Sequence, residues 1–242
     1  MSASNNPLPA GQSPLLCYVT DRRSLPVANS ADSIEALTRK IEEIISAGVD
    51  WVQIREKDLS ARELASLTRK SLRIAPSSSA KRSRSVRILV NDRLDVAIAE
   101  RADGAHLGEQ SLPVQGAKQL VLSTSPHASK AADFLLGVSC HSPEAARAAD
   151  GSGADYIFFG PIFATPTKAR FGVPQGLERL AQVCRAVAIP VIAIGGITLE
   201  NAASCVSAGA AGFAAIRLFQ DAANTIEDIR TLRELLLRDP WG

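Results

Sequence analysis

Residues 135–160 read LLGVSCHSPEAARAADGSGADYIFFG, and this stretch decides the fold of the chain. Its two apolar runs, Leu135–Ser139 and Tyr156–Gly160, have the length of buried strands. Between them Ser142 stands at the N-cap position of a helical run. A strand, a helix and a second strand in this order, with both strands apolar throughout, are typical of a parallel sheet covered on both faces.

The same alternation continues from Leu15 to the last helical pattern, which is predicted at Thr225–Leu237. Eight units in about 225 residues favour an α/β fold consisting of a single (β/α)8 TIM barrel. We expect residues 1–14 to be a disordered N-terminal tail and residues 15–238 to form one catalytic TIM-barrel domain. The strands are predicted at residues 16–20, 51–55, 87–91, 104–107, 135–139, 156–160, 191–195 and 212–218.

An open, doubly wound sheet is the alternative fold. Such a sheet usually carries a G-x-G-x-x-G fingerprint directly after its first strand. Here Asp21-Arg22-Arg23 follows Thr20 instead, which favours the closed barrel.

Composition excludes several classes of protein. The 242 residues include 27 Lys plus Arg and 25 Asp plus Glu, a formal charge of +2, so no basic excess points to nucleic acid. No apolar run approaches the roughly 20 residues of a membrane span, and the N-terminus lacks the pattern of a secretory signal. A cytoplasmic protein without nucleic-acid or membrane partners is therefore expected. The basic, Ser-rich segment 77–87, SSSAKRSRSVR, is predicted to be a solvated insertion.

Barrel enzymes carry their chemistry at the C-terminal ends of the strands, so the polar residues that end each apolar run are candidates for a site. The second run ends in Gln53-Ile54-Arg55-Glu56-Lys57, and the third ends in Asn91-Asp92. Arg55 and Lys57 would attract an anion, whereas Glu56 could instead pair with either neighbour. Asp92 is a candidate ligand for Mg²⁺, with capping of the following helix as the alternative.

The fifth run ends in Ser139-Cys140-His141, where strand alternation puts Ser139 and His141 on one face. His141 is equally compatible with a hydrogen-bonded structural role. The loop after the sixth run, GPIFATPTKARFG at residues 160–172, contains Lys168 and could fold over a bound ligand, or could be a polar surface loop.

Gly195-Gly196 follow the seventh strand, and Gly209 and Gly212 lie near the eighth; the loops after these two strands are the usual phosphate site of this barrel class. Ile216-Arg217 lies in the eighth run. Glycines let backbone N–H groups approach a phosphate closely. With three cations at the same end, Arg55, Lys57 and Lys168, the sequence favours a diphosphate over a neutral substrate.

Six segments, taken in order, resemble the thiamine-phosphate synthase and thiazole tautomerase superfamily over residues 16–236. They are VQIREK at 52–57, VNDRLDVAI at 90–98, ADGAHLGE at 102–109, GVSCHS at 137–142, GPIFATPTK at 160–168 and IPVIAIGGI at 189–197. The resemblance implies a barrel that joins hydroxymethylpyrimidine diphosphate to a thiazole phosphate or its carboxylate, with Mg²⁺ as cofactor. Thiamine phosphate and diphosphate would be the products.

The resemblance also assigns residues to two phosphorylated small-molecule substrates. Arg55, Lys57, Ser139 and Lys168 would be catalytic, and Asp92 would bind the metal. The pyrimidine diphosphate would be held by Gln53, Ile54, Arg55, Glu56, Lys57, Asn91, Ser139 and Lys168. The thiazole phosphate would be held by Thr165, Pro166, Thr167, Gly196, Ile216 and Arg217.

Two departures from the family pattern bear on these expectations. Ser111 stands where the synthases carry a second metal-binding Asp, which predicts weaker metal affinity, with Glu109 or Glu56 as candidate substitutes. Arg217 replaces a small residue. Two alternatives stay open at this point: a thiazole tautomerase with His141 as its base, and a barrel that binds thiazole or thiamine phosphates without turnover. A homo-oligomer is also left open.

Overall fold

The computed structural model describes residues 13–25, 30–79, 86–124, 133–164, 173–221 and 224–237. Its eight strands are all parallel and form a closed barrel in sequence order, with the first strand paired to both the second and the eighth. This confirms the predicted TIM barrel. The strands are β1 Leu15–Val19, β2 Trp51–Ile54, β3 Arg87–Asn91, β4 Gly104–Leu107, β5 Leu135–Cys140, β6 Tyr156–Phe159, β7 Val191–Ile194 and β8 Gly212–Ala215.

Helices follow the strands and cover the outside of the barrel. The described α-helices are α1 Ser30–Ala47, α2 Ala61–Ser79, α3 Leu94–Glu100, α4 Val114–Thr124, α5 Pro143–Gly151, α6 Gly176–Ala186, α7 Ala202–Ser207, α8 Arg217–Gln220 and α9 Thr225–Leu237, and a short 3₁₀ helix spans Arg22–Ser24. The Ser142 side chain accepts a hydrogen bond from the Ala145 N–H, so the predicted N-cap of α5 is confirmed. Ser60 and Glu63 bond each other's backbone N–H groups at the start of α2, in a capping box.

Alternation along each strand separates two apolar layers. On β6, Tyr156 and Phe158 belong to the cluster inside the barrel, whereas Ile157 and Phe159 belong to the layer between sheet and helices. Strands buried on both faces in this way have no polar side to mark their period, which is why they are continuous apolar runs in the sequence.

The predicted eighth strand is too long. The strand ends at Ala215, and α8 takes in Arg217 and Leu218. Phe219 and Gln220 donate their N–H groups to the Ile216 carbonyl, so the chain turns into a helix at that residue. Phe219 then packs against Tyr18, with the ring centroids 6.2 Å apart. The apolar run looked continuous because a buried strand and a buried helical turn have the same composition.

The segment predicted as a basic loop begins later than expected. Helix α2 continues through Ser79, past Pro76, and thus takes in the first three serines of the segment. Strand β3 begins at Arg87, and residues 80–85 lie outside the described residues.

Aspartates tie neighbouring strands together at the N-terminal end of the barrel. Each carboxylate accepts the N–H of the second residue of the preceding strand: Asp50 from Leu16 at 2.8 Å, Asp103 from Ile88 at 2.7 Å and Asp155 from Leu136 at 2.7 Å. Each aspartate also donates its own N–H to the carbonyl of that residue. The position before β8 is occupied by Ala211 instead. The pairs β1–β2, β3–β4 and β5–β6 thus share one arrangement, in which an aspartate is bound to the backbone of the preceding strand.

Candidate active site

A chain of hydrogen bonds crosses β2 and β3 at the C-terminal end of the barrel. The buried Gln53 amide donates from Nε2 to Asn91 Oδ1 at 3.1 Å, and Asn91 Nδ2 donates to Asp92 Oδ2 at 2.8 Å. The inward-facing position at the end of each strand supplies one of these amides. The structure therefore brings together three residues that the sequence predicted for one site, and we call Gln53, Asn91, Asp92 and Ser111 the rim network.

Asp92 directs its carboxylate toward the loop after β4. The Gly108 N–H donates to Oδ1 at 3.0 Å, and so does the Ser111 hydroxyl. Asp92 itself has φ 60°, a left-handed conformation that Asp tolerates better than most residues. The residue that precedes α3 is Arg93, and no side chain caps that helix, so the capping alternative for Asp92 is wrong.

Partial burial acts to raise the pKa of Asp92, but the donors around it prevail. The Ser111 hydroxyl, the Gly108 N–H and the Lys57 ammonium together hold the pKa of this carboxyl below its usual value. Asp92 is therefore ionised at neutral pH, as a metal ligand has to be.

Lys57 and Arg55, the two cations that follow β2, lie at the same end of the barrel as this carboxylate. Lys57 Nζ lies 3.9 Å from Asp92 Oδ2 and its side chain is 62% exposed. The Arg55 N–H donates to Thr20 Oγ1 at 2.9 Å, which fixes the backbone where β2 ends. Among the described residues, no carboxylate or carbonyl engages the Arg55 guanidinium, so this half-buried charge is available to an anion.

The two remaining residues of the QIREK segment have other partners. Ile54 belongs to the apolar layer between sheet and helices, so its side chain cannot line the barrel interior, and only its backbone remains available to a substrate. Glu56 is buried and accepts from Thr20 Oγ1 at 2.6 Å and from Arg22 Nη1 at 3.1 Å. These contacts correct the expectations that the Glu56 side chain contacts substrate, pairs with an adjacent cation or replaces a metal ligand.

Arg22 was missed by the sequence analysis. Its guanidinium bridges Glu56 and Asp58, with Nη2 2.5 Å from Asp58 Oδ2, and it is 8% exposed. The guanidinium holds the pKa of Asp58 well below its usual range. This ion pair across β1 and β2 positions the backbone that carries Arg55 and Lys57. In the sequence, Asp21-Arg22-Arg23 showed only that no G-x-G-x-x-G fingerprint follows the first strand.

Ser139 faces the barrel interior and Cys140 the outer layer, as strand alternation predicted. Ser139 Oγ lies 2.9 Å from His106 Nε2, and His106 Nδ1 lies 3.1 Å from the Tyr156 hydroxyl. His106 lies within the segment ADGAHLGE at residues 102–109, and no role is predicted for it from the sequence. A single polar residue in the apolar strand GAHL was the signal that could have identified it.

His141 is held by a hydrogen bond to the next strand. Its Nδ1 lies 2.5 Å from the Gly160 carbonyl oxygen, which can only accept, so Nδ1 carries the proton. In the neutral ring Nε2 is then an acceptor. A structural role and a role as a base thus both stay compatible with this position.

Glycines bring the loop after β6 close to the end of β7. Gly196 has φ 69°, and a Cβ added to it would lie 2.8 Å from the Ala164 carbonyl oxygen. The Gly196 carbonyl accepts from Asn201 Nδ2 at 2.9 Å, which fixes the turn. Only glycine satisfies both the conformation and the close approach. The predicted residues Thr165, Pro166, Thr167 and Lys168 lie outside the described residues.

The predicted pair after β8 begins helix α8. Ile216 packs at the edge of the inner apolar cluster, and Arg217 is exposed at the first helical position. No described residue accepts a hydrogen bond from the Arg217 guanidinium.

No group of three or more His, Cys, Asp or Glu side chains with metal-binding geometry occurs among the described residues. Asp92 is thus a single carboxylate with one neighbouring hydroxyl, Ser111. Mg²⁺ prefers oxygen donors and commonly takes one or two carboxylates together with substrate phosphates and waters. The rim network fits such a partial site. Within the same described part of the chain, no helix is long and apolar enough to cross a membrane.

Comparison with known proteins places the chain in a family. The sequence profile of the family described as "Thiamine monophosphate synthase" matches residues 24–219. A thiamine-phosphate synthase of Moorella thermoacetica is 39% identical over 80% of this chain and 85% of its own. Another, of Roseiflexus sp. (strain RS-1), is 37% identical over 89% of this chain and 82% of its own.

A solved structure covers almost the whole chain. The thiamine phosphate pyrophosphorylase from Pyrococcus furiosus superposes with a TM-score of 0.74 at 30% identity, over 96% of both chains. The chain therefore belongs to the thiamine monophosphate synthase family.

Proposed function

We propose that this chain is a thiamine-phosphate synthase, an enzyme that joins hydroxymethylpyrimidine diphosphate to a thiazole phosphate or its carboxylate and releases diphosphate. The observation that carries the proposal is the surplus of cations at the C-terminal end of the barrel. Arg55 and Arg217 have no acidic partner among the described residues, and Lys57 is shared only with Asp92 at 3.9 Å. Such a surplus suits two phosphorylated substrates better than neutral ones.

The reaction breaks the bond between the pyrimidine methylene carbon and the diphosphate oxygen, and the diphosphate leaves with the electron pair. The thiazole nitrogen then donates its lone pair to the resulting cation, forming the new C–N bond. A thiazole carboxylate would in addition lose its carboxyl group as CO₂, with the electron pair of the broken C–C bond kept by the ring. Neither step needs a strong base. The first step needs the departing negative charge to be stabilised, which preorganised cations do well.

Arg55 and Lys57 are placed for that task. At about 4 Å and an effective dielectric constant near 20, one cation–anion contact is worth on the order of 4 kcal/mol before desolvation. Thr20 and the Arg22 ion pair hold the Arg55 backbone, so the charge is positioned before substrate arrives. Lys168 would add a third cation.

Gln53 and Asn91 would orient the pyrimidine diphosphate, and Ser139 would donate to it. Asp92, with Ser111 beside it, would hold Mg²⁺, whose charge would offset that of the diphosphate. The turn at Gly196 and the pair Ile216-Arg217 would bind the thiazole phosphate together with Thr165, Pro166 and Thr167. Anchoring that phosphate fixes the thiazole nitrogen for attack.

The test supplies purified protein with hydroxymethylpyrimidine diphosphate, the thiazole phosphate carboxylate and Mg²⁺, and quantifies thiamine phosphate and diphosphate. Equal amounts of both products are expected. Loss of both in the Lys57→Ala variant, with an unchanged unfolding midpoint, would tie the reaction to the rim. Tight binding of thiamine phosphate without any product would instead assign the chain to the non-catalytic class.

One observation favours a second candidate, the thiazole tautomerase. His141 Nδ1 bonds the Gly160 carbonyl, which leaves Nε2 as the proton acceptor that a tautomerase base requires. Interconversion of the thiazole tautomers that His141→Ala abolishes and Lys57→Ala spares would favour it. A cytoplasmic location, the absence of nucleic-acid partners and the oligomeric state stay predictions.

A further inference from the structure

Three strands contribute a buried polar line beneath the candidate site. His106 on β4 pairs in register with Gly137 on β5, which pairs with Tyr156 on β6. His106 Nε2 lies 2.9 Å from Ser139 Oγ and Nδ1 lies 3.1 Å from the Tyr156 hydroxyl. His106 and Tyr156 are each 1% exposed. Ser139, a residue of the proposed site, is thus connected to two interior groups that no substrate assignment uses.

Gly137 makes this connection sterically feasible. A Cβ added to Gly137 would lie 2.0 Å from Tyr156 Cζ, so the phenol ring occupies the space that a side chain would fill. The ring crosses over β5 in this way to reach His106. Phe158 holds the imidazole from the other side, with ring centroids 4.2 Å apart, and Trp51 contacts the Tyr156 ring edge to face at 4.8 Å. The rings are therefore fixed by packing.

The direction of the hydrogen bonds follows from the phenol. Burial raises the pKa of Tyr156, so the hydroxyl keeps its proton and has to donate it. Among the described residues, the partner of that hydroxyl is His106 Nδ1. A buried donor left without an acceptor loses its hydrogen bond to water and gains none in return, which is destabilising. Tyr156 therefore donates to Nδ1, which makes Nδ1 an acceptor and puts the ring proton of His106 on Nε2.

The tautomer of His106 determines the direction of the Ser139 O–H. The His106 Nε2–H donates to Ser139 Oγ, so the serine proton is not used inside the barrel and is free to point to the site. With the opposite tautomer, the serine would donate to Nε2 and present only lone pairs to an anionic diphosphate, which would repel it.

We infer that His106 and Tyr156 are positioning residues that hold the Ser139 hydroxyl as a hydrogen-bond donor to the pyrimidine diphosphate. The inference rests on the proposed function in its choice of substrate, and the tautomer of His106 can be tested without it. Neither residue touches substrate. Each acts through Ser139.

The first measurement reads the tautomer without turnover. The ¹⁵N chemical shifts of labelled histidine rings distinguish Nε2–H from Nδ1–H, and the chain has three histidines, assigned by replacing each in turn. The Nε2–H form is expected for His106, with a shift toward Nδ1–H in Tyr156→Phe. An Nδ1–H form in the unmodified protein would overturn the inference, whether or not the protein is a synthase.

The second measurement is a double-mutant cycle in the synthase assay. Tyr156→Phe keeps the ring and is expected to lower kcat about tenfold, roughly the worth of one hydrogen bond, with the KM for the thiazole phosphate unchanged. Ser139→Ala is expected to lower kcat by at least as much. Adding Tyr156→Phe to Ser139→Ala should then change nothing further.

His106→Gln supplies the conservative rescue, because its amide nitrogen can still donate to Ser139, whereas His106→Leu cannot. The Gln variant should retain more kcat than the Leu variant at equal stability. Effects of Tyr156→Phe and Ser139→Ala that multiply, or equal activity of Gln and Leu, would show a purely structural role. If the unmodified protein forms no product while the tautomer is as expected, the proposed function fails and the tautomer assignment stands.

Discussion

At the N-terminal end of the barrel, Asp50, Asp103 and Asp155 each bond a backbone N–H of the preceding strand, whereas at the C-terminal end Asp92 bonds side chains and a loop around a cationic surface. The same residue type thus occurs in a closed arrangement at one end and an open one at the other. Carboxylates bound to the backbone of the sheet hold neighbouring strands together. Those beside uncompensated cations can bind a ligand, and the two ends of this fold divide stability and chemistry accordingly.

The largest effect that would sharpen this contrast is expected at Lys57. Lys57→Ala should lower kcat/KM about 100-fold, ~3 kcal/mol of transition-state stabilisation, because it removes a charge that faces the leaving diphosphate. The free energy of unfolding should stay unchanged, since the side chain is 62% exposed. Steady-state kinetics and urea unfolding measure the two quantities. Lys70→Ala, which removes an exposed charge from helix α2, is the matched control and should alter neither.

At the N-terminal end of the barrel we expect a loss of stability without a loss of activity. Asp103→Ala should lower the free energy of unfolding by about 2 kcal/mol, because it deprives the buried Ile88 N–H of its acceptor. kcat and KM should stay as they are. Asp103→Asn keeps an acceptor oxygen and should retain most of the stability. A loss of activity in a folded Asp103→Ala protein would break the division between the two ends.

A smaller effect is expected at Ser111, which gives the rim network a hydroxyl where the family pattern has a second carboxylate. Ser111→Asp should lower the Kd for Mg²⁺ about tenfold in the absence of substrate, because it adds a second anionic oxygen within reach of Asp92. Titration calorimetry measures this affinity, with the neutral Ser111→Asn as control. Equal affinity in all three proteins would mean that the metal does not bind beside Asp92.

The smallest effect concerns pH. Burial raises the pKa of Asp103. A carboxyl with a raised folded-state pKa stabilises the fold less as pH increases from the ordinary aspartate range through the raised value. Asp103→Asn should therefore gain stability relative to the unmodified protein over that interval, as followed by urea unfolding between pH 3.5 and 7. A difference in the free energy of unfolding that does not change with pH would mean that Asp103 has the same pKa in the folded and unfolded chains.

Much of the fold was predictable because its strands are buried on both faces. Each strand is then a short apolar run that a helical pattern separates from the next, and the TIM barrel followed from their number. The end of β8 was not predictable, because Ile216 and Leu218 continue the apolar composition through a change from strand to helix. Only the contacts of Phe219 and Gln220 reveal the turn.

The site was predictable in part, for a related reason. Gln53, Asn91 and Asp92 end their strands and could be expected to meet at one end of the barrel. Arg22 and Tyr156 could not, because their contacts depend on which positions face each other across strands. The space for Tyr156 exists only because Gly137 stands opposite it, and no local pattern contains that relation.

The most direct test of the division between the two ends is hydrogen–deuterium exchange of the full chain, with and without hydroxymethylpyrimidine diphosphate and Mg²⁺. We expect slower exchange in segments 53–57, 91–92 and 106–111 at the C-terminal end. Exchange at 48–50, 101–103 and 153–155 should stay unchanged. Slower exchange in the N-terminal segments alone, or no change in either set of segments, would contradict the assignment of the substrate site to the C-terminal end of the barrel.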